Sequence, residues 1–249
     1  MNVLVTGATA GVGLAVVRRF VKEGARVIAT GRRGERLDAL RAELGEQVLP
    51  VVLDVTDREA VQKAFESLPA DFAQVDVLVN NAGLALGLDP AQAARLDDWD
   101  VMVDTNVKGL LYCTRAALPG MVARDRGHVI NLGSVAAEFP YPGGNVYGAT
   151  KAFVHQFSLN LRADLHGTSV RVTDIEPGIV GGTEFSNVRF RGDDARAASL
   201  YANMQPLTPE DIADTVHWVA SRPAHVNINV ISMMPVAQSF GPLPVKRQA

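Results

Sequence analysis

A single cysteine, Cys113, has no partner for an intramolecular disulfide, so a disulfide-stapled fold is excluded and a reducing cytoplasm is the expected compartment. Its expected role is that of a small buried apolar side chain rather than a reactive thiol. Long apolar runs are missing as well. None approaches the ~20 residues of a membrane span, and residues 1–7 lack the basic region and apolar run of a signal peptide. Neither sign of charge is in large excess: 24 Lys and Arg stand against 27 Asp and Glu, and the cations are dispersed. Nucleic acid therefore meets no basic field. His128, His155, His166, His217 and His225 show no ligand spacing with Cys or carboxylates, so no metal site is expected. Repeats, heptads and Pro/Gly/Ser-rich linkers are absent, and the 249 residues read as one domain.

What is present is alternation. Short β-branched runs at 3–6, 26–30, 48–53, 75–80, 128–132, 170–176 and 229–233 are separated by helix-patterned segments at 12–23, 34–44, 58–68, 99–123, 147–165 and 209–221. Seven strands alternating with six helices imply an α/β fold, a doubly wound parallel sheet covered on both faces. Thr208-Pro209-Glu210-Asp211 is a helix start, with a cap, a proline and acids in the first turn. Residues 181–205 form an embellishment, and 240–249 read as an extended tail.

The first strand leads into Thr6-Gly7-Ala8-Thr9-Ala10-Gly11-Val12-Gly13 and then a helix. Glycines there let backbone N–H groups and a helix N-terminus approach a pyrophosphate. The spacing differs from the common Gly-x-Gly-x-x-Gly pattern, and tight packing alone would also use such a turn. The second strand ends in Arg32-Arg33, where an NAD site would carry an acid. Guanidinium groups hold a 2′-phosphate by forked, charge-assisted bonds, so the expected cofactor is NADP(H); the plainer alternative is two solvated arginines. Asp54, after the third strand, is placed to accept from an adenine amino group. Asn80-Asn81-Ala82-Gly83 ends the fourth strand at the ligand-binding edge.

Tyr147 and Lys151 lie four apart on a patterned helix, with Ser134 upstream. Residues so spaced share a face, and a fixed ammonium favours a phenolate. Such a pair also occurs by chance on any helix surface. Asp193-Asp194 is read as a solvated loop pair, and Phe153, Phe157 and Leu161 as core or contact surface.

Together the Thr-Gly-x-x-x-Gly-x-Gly turn, Asp54-Val55, Asn80-Asn81-Ala82-Gly83, Asn106, Ser134, Tyr147, Lys151 and Pro177-Gly178 resemble the short-chain dehydrogenase/reductase family over nearly the whole chain. Stretches 143–151, 173–189 and 223–229 are similar to its bacterial NADP-dependent members that act on small 3-hydroxy acids, serine and allo-threonine. The resemblance implies an oxidoreductase in which Tyr147 takes the hydroxyl proton and Lys151 lowers its pKa and binds the nicotinamide ribose. Ser134 would hold the substrate oxygen, and Asn106 a water linking Lys151 to solvent. NADP(H) would be held by Gly7, Thr9, Ala10, Gly11, Val12, Gly13, Arg32, Arg33, Asp54, Val55, Asn81, Ala82 and Gly83. Pro177, Gly178, Ile179 and Val180 would lie along the nicotinamide, and a homotetramer is the implied assembly. A small hydroxy acid needs a cation for its carboxylate, and Arg189, in the substrate-covering stretch, is the candidate; pairing with Glu184 or Asp193 is its alternative. Glu138 and Phe139 are candidates to line the same pocket. Another carbonyl substrate of the same family, or a sensor that binds NADP(H) without turnover, stand as alternative functions.

Overall fold

The structure, a computed structural model, describes residues 1–240. The expected tail falls outside these residues except for Phe240, whose ring packs on Phe139 at 4.2 Å between centroids. Strands β1 (Asn2–Val5), β2 (Arg26–Gly31), β3 (Val48–Val52), β4 (Val77–Asn80), β5 (Gly127–Leu132), β6 (Val170–Pro177) and β7 (Val230–Met233) form one sheet in the order β3-β2-β1-β4-β5-β6-β7. Every pairing is parallel. The order reverses between β1 and β4, which opens a crevice at the carboxyl ends of the strands, where such sheets bind ligands.

Nine α-helices occur among the described residues: α1 (Gly11–Lys22), α2 (Gly34–Leu44), α3 (Arg58–Glu66), α4 (Leu96–Val103), α5 (Leu110–Ala123), α6 (Asn145–Asp164), α7 (Phe185–Arg189), α8 (Asp194–Ser199) and α9 (Pro209–Ala220). Side chains alternate across a strand, so successive residues of β1 serve two cores. Val3 and Val5 pack with Phe20 of α1, Leu37 of α2 and Val216 of α9, while Leu4 packs with Val61 of α3, Met121 of α5 and Leu161 of α6. Both faces are therefore dry, which is why the strands read as continuous apolar runs. Cys113 is fully buried in the second core, and desolvation pushes its thiol up to about 12.

The helix start at 208–211 is a capping box: the Asp211 amide donates to Thr208 Oγ1 at 3.2 Å, and the Thr208 amide to Asp211 Oδ2 at 2.8 Å. The segment 99–123 departs from the single helix expected. It forms the end of α4, a π-helical turn over Asp104–Gly109, and α5. The wider turn brings Asn106 inward, where it is 2% exposed. Such turns accommodate an extra residue without ending the helix, and the apolar periodicity runs through them unchanged.

Candidate active site

The cleft at the switch point encloses about 790 Å³, enough for a dinucleotide-sized ligand. Thr6 fastens its floor. Its hydroxyl accepts from the amides of Asn81 and Ala82 at 3.0 and 2.9 Å, and Asn81 Nδ2 donates back to the Thr6 carbonyl at 2.8 Å. The ends of β1 and β4 are thus sewn together under the glycine turn. Gly7 has φ +67°, which L side chains rarely adopt. A Cβ on Gly13 would stand 2.3 Å from the Gly7 carbonyl oxygen, so α1 starts hard against the turn only because that position has no side chain. Helix α1 opens with no side-chain cap and no acid in its first turn. Its free N–H groups, with Thr9, Ala10, Gly11 and Val12 on the cleft wall, fit an anionic pyrophosphate.

The arginines differ in their surroundings. Arg32 is exposed, with Nη1 3.9 Å from Asp54 Oδ2. Arg33 donates to Thr9 Oγ1 at 2.8 Å and to Glu184 Oε2 at 2.8 Å, and Arg36 donates to the other Glu184 oxygen at 2.8 Å. Asp54 Oδ1 already accepts from the Thr56 amide and hydroxyl, so only Oδ2 is open to an adenine amino group. Val55 is buried and packs on the π-helical turn, where a Cβ on Gly109 would meet it at 2.6 Å. Ala82 and Gly83 line the cleft floor, where a Cβ on Gly83 would lie 3.7 Å from Lys151 Nζ.

Ser134, Tyr147 and Lys151 all line this cleft, and all three are buried. Ser134 Oγ accepts from the Ala136 amide at 3.1 Å, which fixes its direction. Lys151 Nζ donates to the Leu132 carbonyl at 2.6 Å, and burial draws its pKa down to about 8, opposed by the charge of Asp174. Burial pushes the Tyr147 phenol up to about 12; the Ser134 hydroxyl and the Arg189 guanidinium act in the opposite sense. Lys151 Nζ, with one of its three N–H donors on the Leu132 carbonyl, stands 5.9 Å from the centre of the Tyr147 ring, on the shared helix face expected for it. Asn106 is engaged through its side chain. Its Oδ1 accepts from the Leu84 amide at 2.9 Å, and Nδ2 donates to the Leu84 carbonyl at 2.8 Å and to Thr150 Oγ1 at 3.0 Å. The side chain pins the chain after β4 to α6, and both amide protons are used.

Residues 181–205 contain α7 and α8, and the first of these contributes to the cleft wall. Arg189 does not pair with Glu184 or Asp193. Glu184 is held by Arg33 and Arg36, and Asp193 caps α8 by accepting from the Arg196 amide at 3.0 Å. Arg189 instead donates to Tyr141 Oη at 2.7 Å and to the Gly87 carbonyl at 3.1 Å. Its guanidinium carbon lies 5.5 Å from the centre of the Tyr147 ring, and among the described residues no carboxylate comes within ion-pair distance of it. Phe185 closes the other side of Tyr147, edge-on at 5.8 Å.

Pro177, Gly178, Ile179 and Val180 follow β6 along the cleft. The Ile179 amide donates to a side-chain carboxamide, Gln238 Oε1, at 2.8 Å. Sequence reasoning missed Gln238, Tyr141 and Arg36. The first has no local motif, and only a phenol six residues before Tyr147 marked the second. Phe139 lines the cleft as expected, but Glu138 does not. Glu138 turns away toward His155 and Glu176, and these three place ligand-type atoms within 4.8 Å of one another. Strand β6 and helix α6 here join residues that no sequence spacing connects.

Residues 1–193 match the model of the short chain dehydrogenase family. The NADP-dependent 3-hydroxy acid dehydrogenase of Salmonella typhi is 66% identical over 99% of this chain and 100% of its own length. The serine 3-dehydrogenase of Rhizobium radiobacter is 56% identical over 100% and 99%. Among solved structures, a closed form of serine dehydrogenase complexed with NADP+ is 62% identical over 100% of both chains, with a TM-score of 0.99. The chain, with its doubly wound sheet and the Ser134, Tyr147 and Lys151 cleft, belongs to the short-chain dehydrogenase family of oxidoreductases.

Proposed function

We propose that this protein is an NADP(H)-dependent dehydrogenase that interconverts small 3-hydroxy acids, including serine-like ones, with their 3-oxo counterparts. The observation that carries the reading is Arg189, a buried guanidinium beside Tyr147 with no carboxylate partner among the described residues. A buried cation calls for an anion, and the carboxylate of a small hydroxy acid clamped there would bring the adjoining carbinol toward Tyr147. The relatives described above, named for 3-hydroxy acids and serine, agree with that chemistry.

When bound, the nicotinamide supplies or accepts the hydride. Gly7, Gly11 and Gly13 with the N-terminus of α1 hold its pyrophosphate, and Arg32 and Arg33 its 2′-phosphate. Glu184 shares Arg33 with that phosphate, which links the 181–205 segment to the cofactor. Ser134 donates to the substrate oxygen, and Tyr147 exchanges the proton with it. Tyr147 takes that proton in oxidation and gives one to the oxygen gaining negative charge in reduction. Malonic semialdehyde, reduced to 3-hydroxypropionate, is the substrate proposed for that direction. Lys151 binds the nicotinamide ribose and draws the phenol down once its ammonium leaves Leu132. A water linking Lys151 to solvent is assigned to Asn106, at the π-helical turn.

A homotetramer belongs to the same reading, supported by exposed apolar Val122 on α5 and Phe153 and Leu159 on α6. A cytoplasmic setting is supported by the unpaired, buried Cys113. No helix among the described residues is long and apolar enough to cross a membrane.

The test is NADPH consumption with malonic semialdehyde and NADP+ reduction with serine and 3-hydroxypropionate. Tyr147→Phe is expected to lower kcat by about 10²–10⁴-fold. Turnover confined to other carbonyls would move the protein elsewhere in its family, and tight NADPH binding without turnover would make it a sensor.

A further inference from the structure

Behind the Ser134 loop, outside the cleft, the fold buries two carboxyl groups on one strand, with the charge of Lys151 acting on the first of them, Asp174. Asp174 and Glu176, on one strand, are both 0% exposed. Neither Asp174 oxygen has a hydrogen-bond partner, and neither does Glu176 Oε2. The imidazole of His155, 24% exposed on α6, meets this pair: Nδ1 lies 2.9 Å from Glu176 Oε1 and 3.6 Å from Asp174 Oδ2. Glu138, exposed at the end of the Ser134 turn, closes the group from the solvent side. A buried carboxylate oxygen without a donor is costly. Asp174 Oδ2 and the Glu176 carboxylate face this imidazole with no other hydrogen-bond donor among the described residues.

We propose that Glu138, His155 and Glu176 bind a divalent transition-metal cation, with Asp174 as the carboxylate behind them. Their ligand atoms already lie within 4.8 Å of one another, from three separate elements. The 2.9 Å between His155 Nδ1 and Glu176 Oε1 is near the about 3.3 Å edge of a tetrahedron with bonds of about 2.0 Å. One imidazole with two carboxylates suits zinc better than the all-oxygen sets of magnesium and calcium. Glu138 leaves the fourth position open to water and gives the ion its route from solvent. None of the three ligands lines the cleft, so the ion takes no part in the hydride chemistry. Its effect is to fasten together the turn after Ser134, the helix that carries Tyr147 and Lys151, and the strand that leads into Pro177.

Isothermal titration of the full chain with zinc chloride, after dialysis against a chelator, tests the site. One saturable equivalent per chain is expected, and His155→Gln and Glu138→Gln should each weaken it at least about tenfold. Zinc should raise the thermal midpoint of the wild type and not that of His155→Gln. Both substitutions sit at or near the surface, and an unchanged circular dichroism spectrum without metal shows that the variants fold. No saturable binding by the wild type, or binding in both variants equal to wild type, overturns the proposal.

Discussion

The glycine turn and the 181–205 segment, which meet where Gly11 faces Thr183, shape the cleft by opposite means. The turn works through backbone: positive φ at Gly7, an absent Cβ at Gly13, uncapped N–H groups at α1. Its parts lie within a few residues of one another. The 181–205 segment works through long side chains whose partners are remote, Glu184 on Arg33 and Arg36, and Arg189 on Gly87 and Tyr141. Backbone shape suits a group that stays the same whatever the substrate, such as a cofactor's pyrophosphate. Exchangeable side chains suit the part that differs between substrates.

Four variants would break or sharpen that contrast. Gly13→Ala should have the largest effect, because its Cβ would press on the Gly7 carbonyl oxygen, a backbone atom with little room to yield. A loss of about 1–3 kcal/mol of stability is expected, read by denaturant titration, together with a parallel loss of NADPH affinity read by fluorescence. Arg189→Ala should raise KM for serine or 3-hydroxypropionate by about 10–100-fold, the range for a lost charged hydrogen bond, and leave the NADPH Kd unchanged. An unchanged KM would end the clamp assignment, and an equal loss in both constants would erase the contrast between the two regions.

Arg32→Ala combined with Arg33→Ala should narrow the preference for NADP over NAD by about tenfold, near 1.4 kcal/mol, in kcat/KM measured with each cofactor. An unchanged ratio would leave Arg33 as a tether for Glu184 alone.

The smallest effect belongs to the scaffold that both regions share. His128 on β5 is buried, and desolvation lowers its pKa to about 3, with the Arg171 charge acting in the same sense. Thr173 Oγ1 gives its proton to the Ile228 carbonyl at 2.7 Å, so His128 Nε2 is the donor to Thr173 at 2.8 Å and Nδ1 is left bare. A folded-state value below the unfolded 6.5 makes this contribution complete above about pH 6.5 and lost as pH falls toward 3. The slope should not exceed about 1.4 kcal/mol per pH unit, and His128→Gln should flatten it in urea titrations over that range.

Much of the fold and of the site is legible in the sequence. The strand and helix alternation, the capping box at Thr208 and the placement of Tyr147 and Lys151 on one helix face are local patterns, and local patterns survive in sequence. Where the sequence misleads, the determining contact is distant. The π-helical turn at Asn106 answers to Leu84 and Thr150, neither of which disturbs the apolar period of residues 99–123. Arg189 stands free in sequence to pair with Glu184 five residues away, but α2 brings two arginine competitors to Glu184 from the far side of the cleft.

The sequence by itself determined the doubly wound sheet, the glycine turn and the placement of Tyr147 and Lys151 on one helix face, because each depends on spacing within one element or on conformations that few residue types allow. Tertiary structure alone decided which side chains Arg189 and Lys151 touch, how far burial moves Tyr147, and that Glu138, His155 and Glu176 meet. Those outcomes depend on strand order and on what is shut away from water, and neither leaves a periodic trace along the chain.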